Sequence, residues 1–415
     1  MHPMIGAGKQ CFKETYSLME YGISKSFASL APSAIREILK VTADPEVIAF
    51  SAGNPSPDSF PLEAIRRLSS DIFARQSTMA LQYGTSEGYG PLREVLSARL
   101  RERRQIASEG NTLVMTAGGQ QALELTCRVL CNQGDVVLCE DPSFIGALNA
   151  FRAAGVRLVG IPMERDGMNT DALERALRKY SRAKMLYTIP NFHNPSGICT
   201  SLEKRKKIYE LAQKYGIIIL EDDPYGEIRF AGRDIPTIKS LDVQGEERVV
   251  YASSFSKLVS PGMRVGYAVA PAQIAAKMVV GKQCEDVHTN QFFQMLCHRF
   301  MTEYKYDEHI ARIRALYLRK STVMTDALLR YMPKSLLTFG KPEGGLFVFC
   351  TLDDSVNADV FRRTALARKV AFVPGEVFSV SGTCHQSFRL TYATPTDEQI
   401  ERGVRILSEA LSPLT

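Results

Sequence analysis

Short apolar segments alternate with segments of helical periodicity from residue 111 to residue 269. Strands of this kind, interleaved with helices, indicate a largely parallel sheet that helices cover on both faces. Ligands of such sheets bind beyond the carboxyl ends of the strands, so the polar residues that follow each strand are the first candidates for a functional site. The predicted strands are 111–116, 135–139, 156–161, 184–189, 216–222, 248–253 and 265–269.

Three of these strand ends carry residues suited to a flat, anionic ligand. Gly118, Gly119 and Gln120 begin a helix, where free backbone N–H groups and the helix dipole favour an anion. Phe144 follows the next strand and can stack on a planar ring, although packing in the core is the alternative. Asn194, which precedes a proline, can donate a hydrogen bond to a phenolate oxygen.

Asp222 and Tyr225 lie at the end of the aliphatic strand that includes residues 217–220. A carboxylate there can pair with a pyridinium nitrogen and keep the ring protonated, so that the ring withdraws electrons from a carbanion. Tyr225 can reach another edge of the same ring. Acidic clusters are usually solvated, but the position of this one directly after four aliphatic residues keeps it a candidate for the site.

One lysine lies in a segment, 251–267, that is rich in small hydroxyl residues. Apolar neighbours can bury Lys257, and burial disfavours the ammonium form and so makes a lysine nucleophilic. Ser254, Ser256 and Arg264 can hold a phosphate nearby, since hydroxyls and a planar guanidinium suit a dianion. A carbonyl cofactor that bears a phosphate satisfies both conditions, and pyridoxal 5′-phosphate (PLP) is the common one. Taken alone, the segment also fits a surface lysine in a loop.

The segments before the sheet carry weaker signals. A helix is predicted to begin near Pro32 or Ser33, after an arm without clear periodicity. A short strand at 47–51 leads into a turn with Gly53, where the backbone can approach a ligand or simply form a loop. Tyr83 lies in a glycine-rich link, where it can pack or donate its hydroxyl to a phosphate.

Beyond residue 280 the pattern changes to long helices and then to a mixed α+β layer, which predicts a second domain. Arg389 lies inside an apolar strand, where a guanidinium needs a carboxylate partner. That partner is either a ligand or an internal salt bridge. The predicted division is an N-terminal arm with a small-domain segment at 1–60, a large domain at 61–300 and a small C-terminal domain at 301–415.

Composition narrows the functional classes. The 415 residues are 45% hydrophobic and carry a net charge of only +6 with interspersed signs, so a large core is expected and a nucleic-acid surface is not. The nine cysteines form no CxxC pair and have no histidine at metal-ligand spacing, so we expect free thiols and no metal. No apolar run reaches the length of a membrane span, so we expect a cytoplasmic protein that does not bind membranes.

A series of short motifs resembles the class I/II aminotransferases of fold type I, in register from about residue 31 to residue 410. Lys257 and Arg264 are seven residues apart, one fewer than in enzymes of the aspartate aminotransferase type. Together with Ser-Ala-Ile-Arg at 33–36, this spacing is similar to the α-aminoadipate, kynurenine and aromatic aminotransferases. The motifs are Ser-Ala-Gly-Asn-Pro at 51–55, Gln-Tyr-Gly at 82–84, Gly-Gly-Gln-Gln at 118–121, Asn-Pro-Ser-Gly at 194–197, Asp-Asp-Pro-Tyr at 222–225, Ser-Phe-Ser-Lys at 254–257, Arg264 and Arg389.

The resemblance implies an α/β fold with a mostly parallel seven-stranded sheet in the large domain, a smaller α+β C-terminal domain, PLP as cofactor and a homodimer with shared active sites. It implies that Lys257 bonds to PLP and transfers the proton, that Asp222 pairs with the ring nitrogen, and that Phe144 stacks on the ring. It further implies that Tyr225 and Asn194 bind the ring oxygen, and that Arg389 and Asn194, near Gly53, bind the carboxylate of the substrate. The residues implied to bind the phosphate are Gly119, Gln120, Ser254, Ser256, Arg264 and the neighbouring subunit's Tyr83.

Two positions depart from the family's pattern. Gly119 stands where many relatives have a serine, so one hydroxyl contact to the phosphate is expected to be absent. The segment 27–30 has no arginine, which relatives that accept a distal carboxylate often place nearby. Aromatic, aliphatic or a broad range of 2-amino acids are therefore favoured over α-aminoadipate.

The expected activity is ping-pong transfer of an amino group from a 2-amino acid to a 2-oxo acid such as 2-oxoglutarate or pyruvate. A PLP-dependent C–S lyase that acts by β-elimination is the alternative, because it would use the same lysine. A PLP-sensing regulator is disfavoured, since no winged-helix-length segment precedes residue 31. A purely structural protein would leave Lys257, Asp222 and Arg389 unexplained.

Overall fold

The computed structural model describes residues 22, 24–28, 44–106, 109–242 and 247–411. The helix predicted near Pro32 or Ser33 and the motif at 33–36 lie outside the described residues. The strands are β1 Ile48–Ala49, β2 Asn111–Thr116, β3 Val136–Asp141, β4 Arg157–Glu164, β5 Gly167–Met168, β6 Ala183–Thr188, β7 Ile218–Asp222, β8 Val249–Ser254, β9 Gly266–Pro271, β10 Leu337–Phe339, β11 Phe347–Leu352, β12 Val370–Ala371, β13 Val373–Pro374 and β14 Ser387–Thr391.

Helices cover the sheets. Several of them begin at a capping side chain: Asn169, for example, accepts a hydrogen bond from the backbone N–H of Ala172. They are α1 Lys25–Ala28, α2 Leu62–Leu81, α3 Gly90–Arg104, α4 Gly119–Leu130, α5 Ile145–Ala153, α6 Thr170–Lys179, α7 Leu202–Tyr215, α8 Ala272–Glu285, α9 Gln291–Glu303, α10 Tyr306–Tyr331, α11 Ala358–Ala367 and α12 Asp397–Leu411.

The main sheet has the strand order β2-β9-β8-β7-β6-β3-β4-β5. Strands β4, β3, β6, β7 and β8 are parallel, whereas β9 is antiparallel to both β8 and β2. Strand β2 therefore points the same way as β8, and the carboxyl ends of the parallel strands lie along one edge. All seven predicted strands are present, and the two-residue strand β5 adds an eighth beside β4.

Both faces of this sheet are buried, which is why its strands are continuously apolar. Every residue of β3, β8 and β9 is buried. Along β3, Val137 and Cys139 pack into one hydrophobic cluster, whereas Val136 and Leu138 pack into another on the opposite face. The strand ends are consequently fixed by packing on two sides.

A second, antiparallel sheet has the order β10-β11-β14-β13, and β1 pairs with β12 in parallel. Arg389 is on β14, opposite Phe349 of β11 and Val373 of β13, so it occupies an interior strand. A third hydrophobic cluster extends from Ile48 to Leu411 and joins this sheet to the helices around it. Among the described residues, no helix has the length and apolarity of a membrane span, and no group of His, Cys, Asp and Glu is arranged to hold a metal ion.

Candidate active site

The carboxyl edge of the main sheet brings the predicted site residues together. Lys257 is half-buried in the loop after β8, and its Nζ donates a hydrogen bond to the carbonyl of Gly53 at 2.8 Å. Burial lowers the pKa of this amine to about 8, and the positive charges of Arg389 and Arg264 act in the same direction. A pKa near 8 gives this half-buried amine a larger neutral fraction at neutral pH than an exposed lysine has.

Asp222 is the one residue of a run of three acids whose side chain faces away from its two neighbours. Strand alternation sends Glu221 and Asp223 to the opposite face, where their carboxylates accept hydrogen bonds from Lys239 and Asn191, among others. The Asp222 carboxylate is buried and accepts a hydrogen bond from the hydroxyl of Tyr187 at 2.8 Å. Burial raises the pKa of Asp222 to about 7, although the hydrogen bond from Tyr187 acts to lower it.

An uncapped helix start and two hydroxyls form a polar concavity next to these groups. Helix α4 begins after Gly118 without a side-chain cap, so its first N–H groups remain available to an anion. Ser254 Oγ donates to Ser256 Oγ at 2.7 Å, and the β-carbon of Ser254 would lie 3.8 Å from a Cβ built at Gly119. The exposed Arg264 donates through Nη2 to the carbonyl of Ala117 at 3.1 Å.

Gly118 is required by this arrangement. Its φ of +80° is left-handed, and a Cβ there would lie 2.5 Å from Arg264 Nη2. The glycine therefore allows the guanidinium to approach the start of the helix.

Gln120 and Phe144 flank the same edge. The side-chain amide of Gln120 donates to the carbonyl of Gly146 at 2.8 Å, so its backbone N–H is the group that remains for an anion. Phe144 is half-buried at the start of α5 and packs against the cluster on one face of the sheet. Tyr225 is buried, and burial raises the pKa of its hydroxyl.

The buried Arg389 makes polar contacts with two neutral groups. Its Nη1 donates to Asn194 Oδ1 at 2.7 Å and its Nη2 to the carbonyl of Ser51 at 2.9 Å. Its Nε has no hydrogen-bond partner within the described part of the chain. The guanidinium carbon lies 4.1 Å from the ring centre of Phe347 and 5.0 Å from that of Phe378.

The alternative of an internal salt bridge for Arg389 is therefore wrong for the residues that the structure describes. Burial lowers the pKa of this guanidinium to about 10, which reflects a cation without a carboxylate partner. A buried cation with a free N–H is suited to an anionic ligand.

Tyr83 does not join the other predicted residues within one chain. Its side chain is 80% exposed, and its ring meets that of His288 edge to face at 5.6 Å. The sequence analysis placed the backbone of Gly53 near a ligand, but it did not identify Tyr187 or the carbonyl of Ser51 as site groups. A tyrosine inside an apolar strand has the pattern of a core residue, and a carbonyl acceptor has no sequence signature.

The residues present fit PLP. An amine with a lowered pKa suits its aldehyde, and a buried acid suits its pyridine nitrogen. The uncapped start of α4, the two serines and Arg264 suit a phosphate dianion. The unpaired Nε of Arg389 leaves a place for the carboxylate of an amino acid.

Comparison with known proteins agrees with this chemistry. A sequence model of the family described as aminotransferase class I and II matches residues 45–407. Aromatic-amino-acid aminotransferase 1 of Thermococcus litoralis is 36% identical over 392 residues, which cover 94% of this chain and 93% of that protein. The 2-aminoadipate transaminase of Thermus thermophilus is 38% identical over 391 residues, with coverages of 94% and 96%.

A solved structure shows the same fold. The crystal structure of Pyrococcus horikoshii kynurenine aminotransferase, in complex with PMP and with KYN as substrates and KYA as products, superposes with a TM-score of 0.90. It is 36% identical in sequence, and the match covers 94% of this chain and 97% of that chain. The chain therefore belongs to the class I and II aminotransferases and is a PLP-dependent enzyme of that family.

Proposed function

We propose that the protein transfers the amino group of a 2-amino acid to a 2-oxo acid such as 2-oxoglutarate or pyruvate, by a ping-pong mechanism. The amino donors are aromatic, aliphatic or a broad range of 2-amino acids. One observation carries the proposal. The segment 51–53 holds Arg389 through the carbonyl of Ser51 and Lys257 through the carbonyl of Gly53. A carboxylate-binding cation and a nucleophilic amine are thus held by carbonyls two residues apart, and a 2-amino acid offers a carboxylate and an amine on one carbon.

Lys257 and Asp222 have separate roles in this reaction. When bound, PLP supplies an aldehyde that reacts with amines and a ring that takes up electrons. Lys257 would hold the cofactor through its Nζ, and the same amine, once free, would remove the proton from the substrate Cα and return a proton. Asp222 would pair with the ring nitrogen and favour its protonated form.

The remaining site residues bind and orient. Arg389 and Asn194, beside the backbone of Gly53, hold the substrate carboxylate through charge-assisted hydrogen bonds. Phe144 would stack on the ring, and Tyr225 with Asn194 would hold the ring oxygen. The residues that would bind the phosphate are Gly119, Gln120, Ser254, Ser256 and Arg264.

Substrate range is supported by what lies around Arg389 and by the relatives. The rings of Phe347 and Phe378 flank the guanidinium, which favours an apolar or aromatic side chain near the carboxylate. The similar proteins are named for aromatic amino acids and 2-aminoadipate, and the similar structure holds KYN. The segment 27–30 lacks an arginine, and this favours substrates without a distal carboxylate.

The proposal includes a homodimer in which Tyr83 reaches the phosphate in the neighbouring subunit. Its hydroxyl side chain is 80% exposed and is separate from the cluster in its own chain. The division into an arm at 1–60, a large domain at 61–300 and a small domain at 301–415 stays a proposal. It is supported by the second sheet, whose strands β10, β11, β13 and β14 all follow residue 336.

Half-reaction spectroscopy tests this function. We expect the visible absorption of the bound cofactor to fall when a substrate amino acid is added without acceptor, with release of its 2-oxo acid, and to return when a 2-oxo acid is added. The Lys257→Ala variant is the control and should not turn over. If absorption persists while pyruvate and ammonia accumulate from cystathionine, the lyase is the correct alternative, and a protein that never binds added PLP would contradict both.

A further inference from the structure

The described residues contain a buried phenol whose hydroxyl meets a predicted catalytic carboxylate. Tyr187 is on β6 and is 0% exposed, and its hydroxyl donates to Asp222 Oδ2 at 2.8 Å. No hydrogen bond to Asp222 Oδ1 is found in the part of the chain that the structure describes. One carboxylate oxygen is thus held by the protein and the other is left for a ligand.

The sheet and a helix fix the position of this hydroxyl. Tyr187 is in register with Leu220, and strand alternation places Leu220 and Asp222 on the same face of β7. The Tyr187 ring meets Phe151 of α5 edge to face, with 5.3 Å between ring centres. The phenol therefore has little freedom to turn away from Asp222.

The charges around Asp222 explain why it needs a donor. Burial, Asp223 directly after β7 and Glu140 on β3 all raise its pKa, whereas Tyr187 and Lys257 lower it. The negative neighbours make the ionised form costly, so a hydrogen bond that favours that form has a large effect.

We propose that Tyr187 is a positioning residue that holds Asp222 ionised and aimed at the ring nitrogen of PLP. The inference rests on the proposed role of Asp222. Tyr187 itself does not touch the substrate or transfer a proton. It orients Oδ2 and so presents Oδ1 to the ring.

The chain contains a matched control. Tyr251 on β8 is also buried, and its hydroxyl donates to Asp223 Oδ2 at 3.0 Å. Both pairs are buried phenol-to-carboxylate hydrogen bonds at adjacent acidic residues. Only the pair with Asp222 is predicted to act on the cofactor.

The experiment compares Tyr187→Phe with Tyr251→Phe in the full-length protein. For Tyr187→Phe we expect the dissociation constant for PLP to rise about 10-fold and the acidic limit of PLP binding to move up by about one pH unit, because Asp222 is harder to ionise. We also expect the pH dependence of the bound cofactor's visible spectrum to change. Tyr251→Phe should leave these three quantities close to those of the wild type.

A double variant separates positioning from general damage. In an Asp222→Asn background, Tyr187→Phe should weaken PLP binding little further, because the carboxylate that it orients is gone. Additive losses, equal effects of the two phenylalanine variants, or an unchanged Tyr187→Phe enzyme would each overturn the inference. Circular dichroism and the Tm of the apoenzymes show whether both variants fold. If the Asp222→Asn variant binds PLP as tightly as the wild type does, the proposed role of Asp222 is wrong instead.

Discussion

At the scale of single residues, the reactivity of Lys257 follows from its surroundings. Burial is the main cause of its lowered pKa, and the cations Arg389 and Arg264 add to it, while Asp222 opposes them. An exposed lysine has a pKa of about 10.4, so at neutral pH its neutral fraction is far smaller. The hydrogen bond from Nζ to Gly53 keeps the amine in place.

We predict that aldehyde labelling of Lys257 in the apoenzyme rises with pH around a midpoint near 8. The neutral amine is the nucleophile, so labelling is lost as the pH falls below the pKa of Lys257 in the folded protein. Mass spectrometry of the reduced adduct measures the extent of labelling at each lysine separately. Arg389→Met removes a positive charge and should move the midpoint upward. A midpoint near about 10.4, the value of an ordinary exposed lysine, would contradict the prediction.

The sequence identified residues whose chemistry is unusual at their position, and it missed those whose chemistry is ordinary. Lys257 among serines, Asp222 after an aliphatic strand and Arg389 inside one each conflict with simple packing, and the structure places all three at the same edge. Tyr187 agrees with simple packing, because a phenol in an apolar strand is common in cores. Its hydroxyl partner is fixed only by the register of two strands.

At the scale of elements, the start of α4 depends on the strand behind it. A Cβ at Gly266 on β9 would lie 2.6 Å from the carbonyl carbon of Gly118 and 2.8 Å from the nitrogen of Gly119. These are backbone atoms, so a side chain at residue 266 can be accommodated only if the helix start moves. At Gly119 a Cβ would make ordinary contact with Ser254 at 3.8 Å.

We predict that Gly266→Ala lowers the free energy of unfolding by about 2 kcal/mol and weakens PLP binding, because it displaces the helix start. Gly119→Ser is the matched control: it has room for its side chain and adds a hydroxyl near Ser254, so PLP affinity should be unchanged or higher. Thermal unfolding of the apoenzyme and PLP titration measure the two effects. Equal losses in both variants would contradict this account.

The elements themselves were predictable where their pattern is long. The main strands have the predicted positions within a few residues, because a buried parallel strand between helices has a strong apolar signal. Helices α8 and α12 and the two-residue strand β5 were not predicted. A strand of two residues is too short to show a periodic pattern in the sequence. Strand β5 forms where a turn after Glu164 brings Gly167 back beside Glu164.

At the scale of the whole molecule, the site depends on contacts between distant parts of the chain. Lys257 and Gly53 are 204 residues apart, and Arg389 and Ser51 are 338 apart. The end of β3 is fixed in the same way, since Asp141 accepts hydrogen bonds from the backbone N–H groups of Val380 and Ser381. Movement of the C-terminal sheet would therefore move Arg389 and the edge that carries Phe144 together.

Tyr83 gives a test of the proposed dimer at this scale. Its exposed side chain is predicted to complete the phosphate site of the other subunit, so each active site would use Lys257 from one chain and Tyr83 from its partner. We predict that Lys257→Ala and Tyr83→Ala homodimers are both impaired at limiting PLP. A heterodimer of the two would contain one site with both native residues and one with neither.

That heterodimer, purified with two different tags, should recover about half of the wild-type activity, because one of its two sites is complete. If Tyr83 acted within its own chain, each site would lack one residue and no activity would return. The wild-type heterodimer with the same two tags controls for the tags and for subunit exchange. Sedimentation of the 46.1 kDa chain as a monomer would exclude the arrangement before the activity is measured.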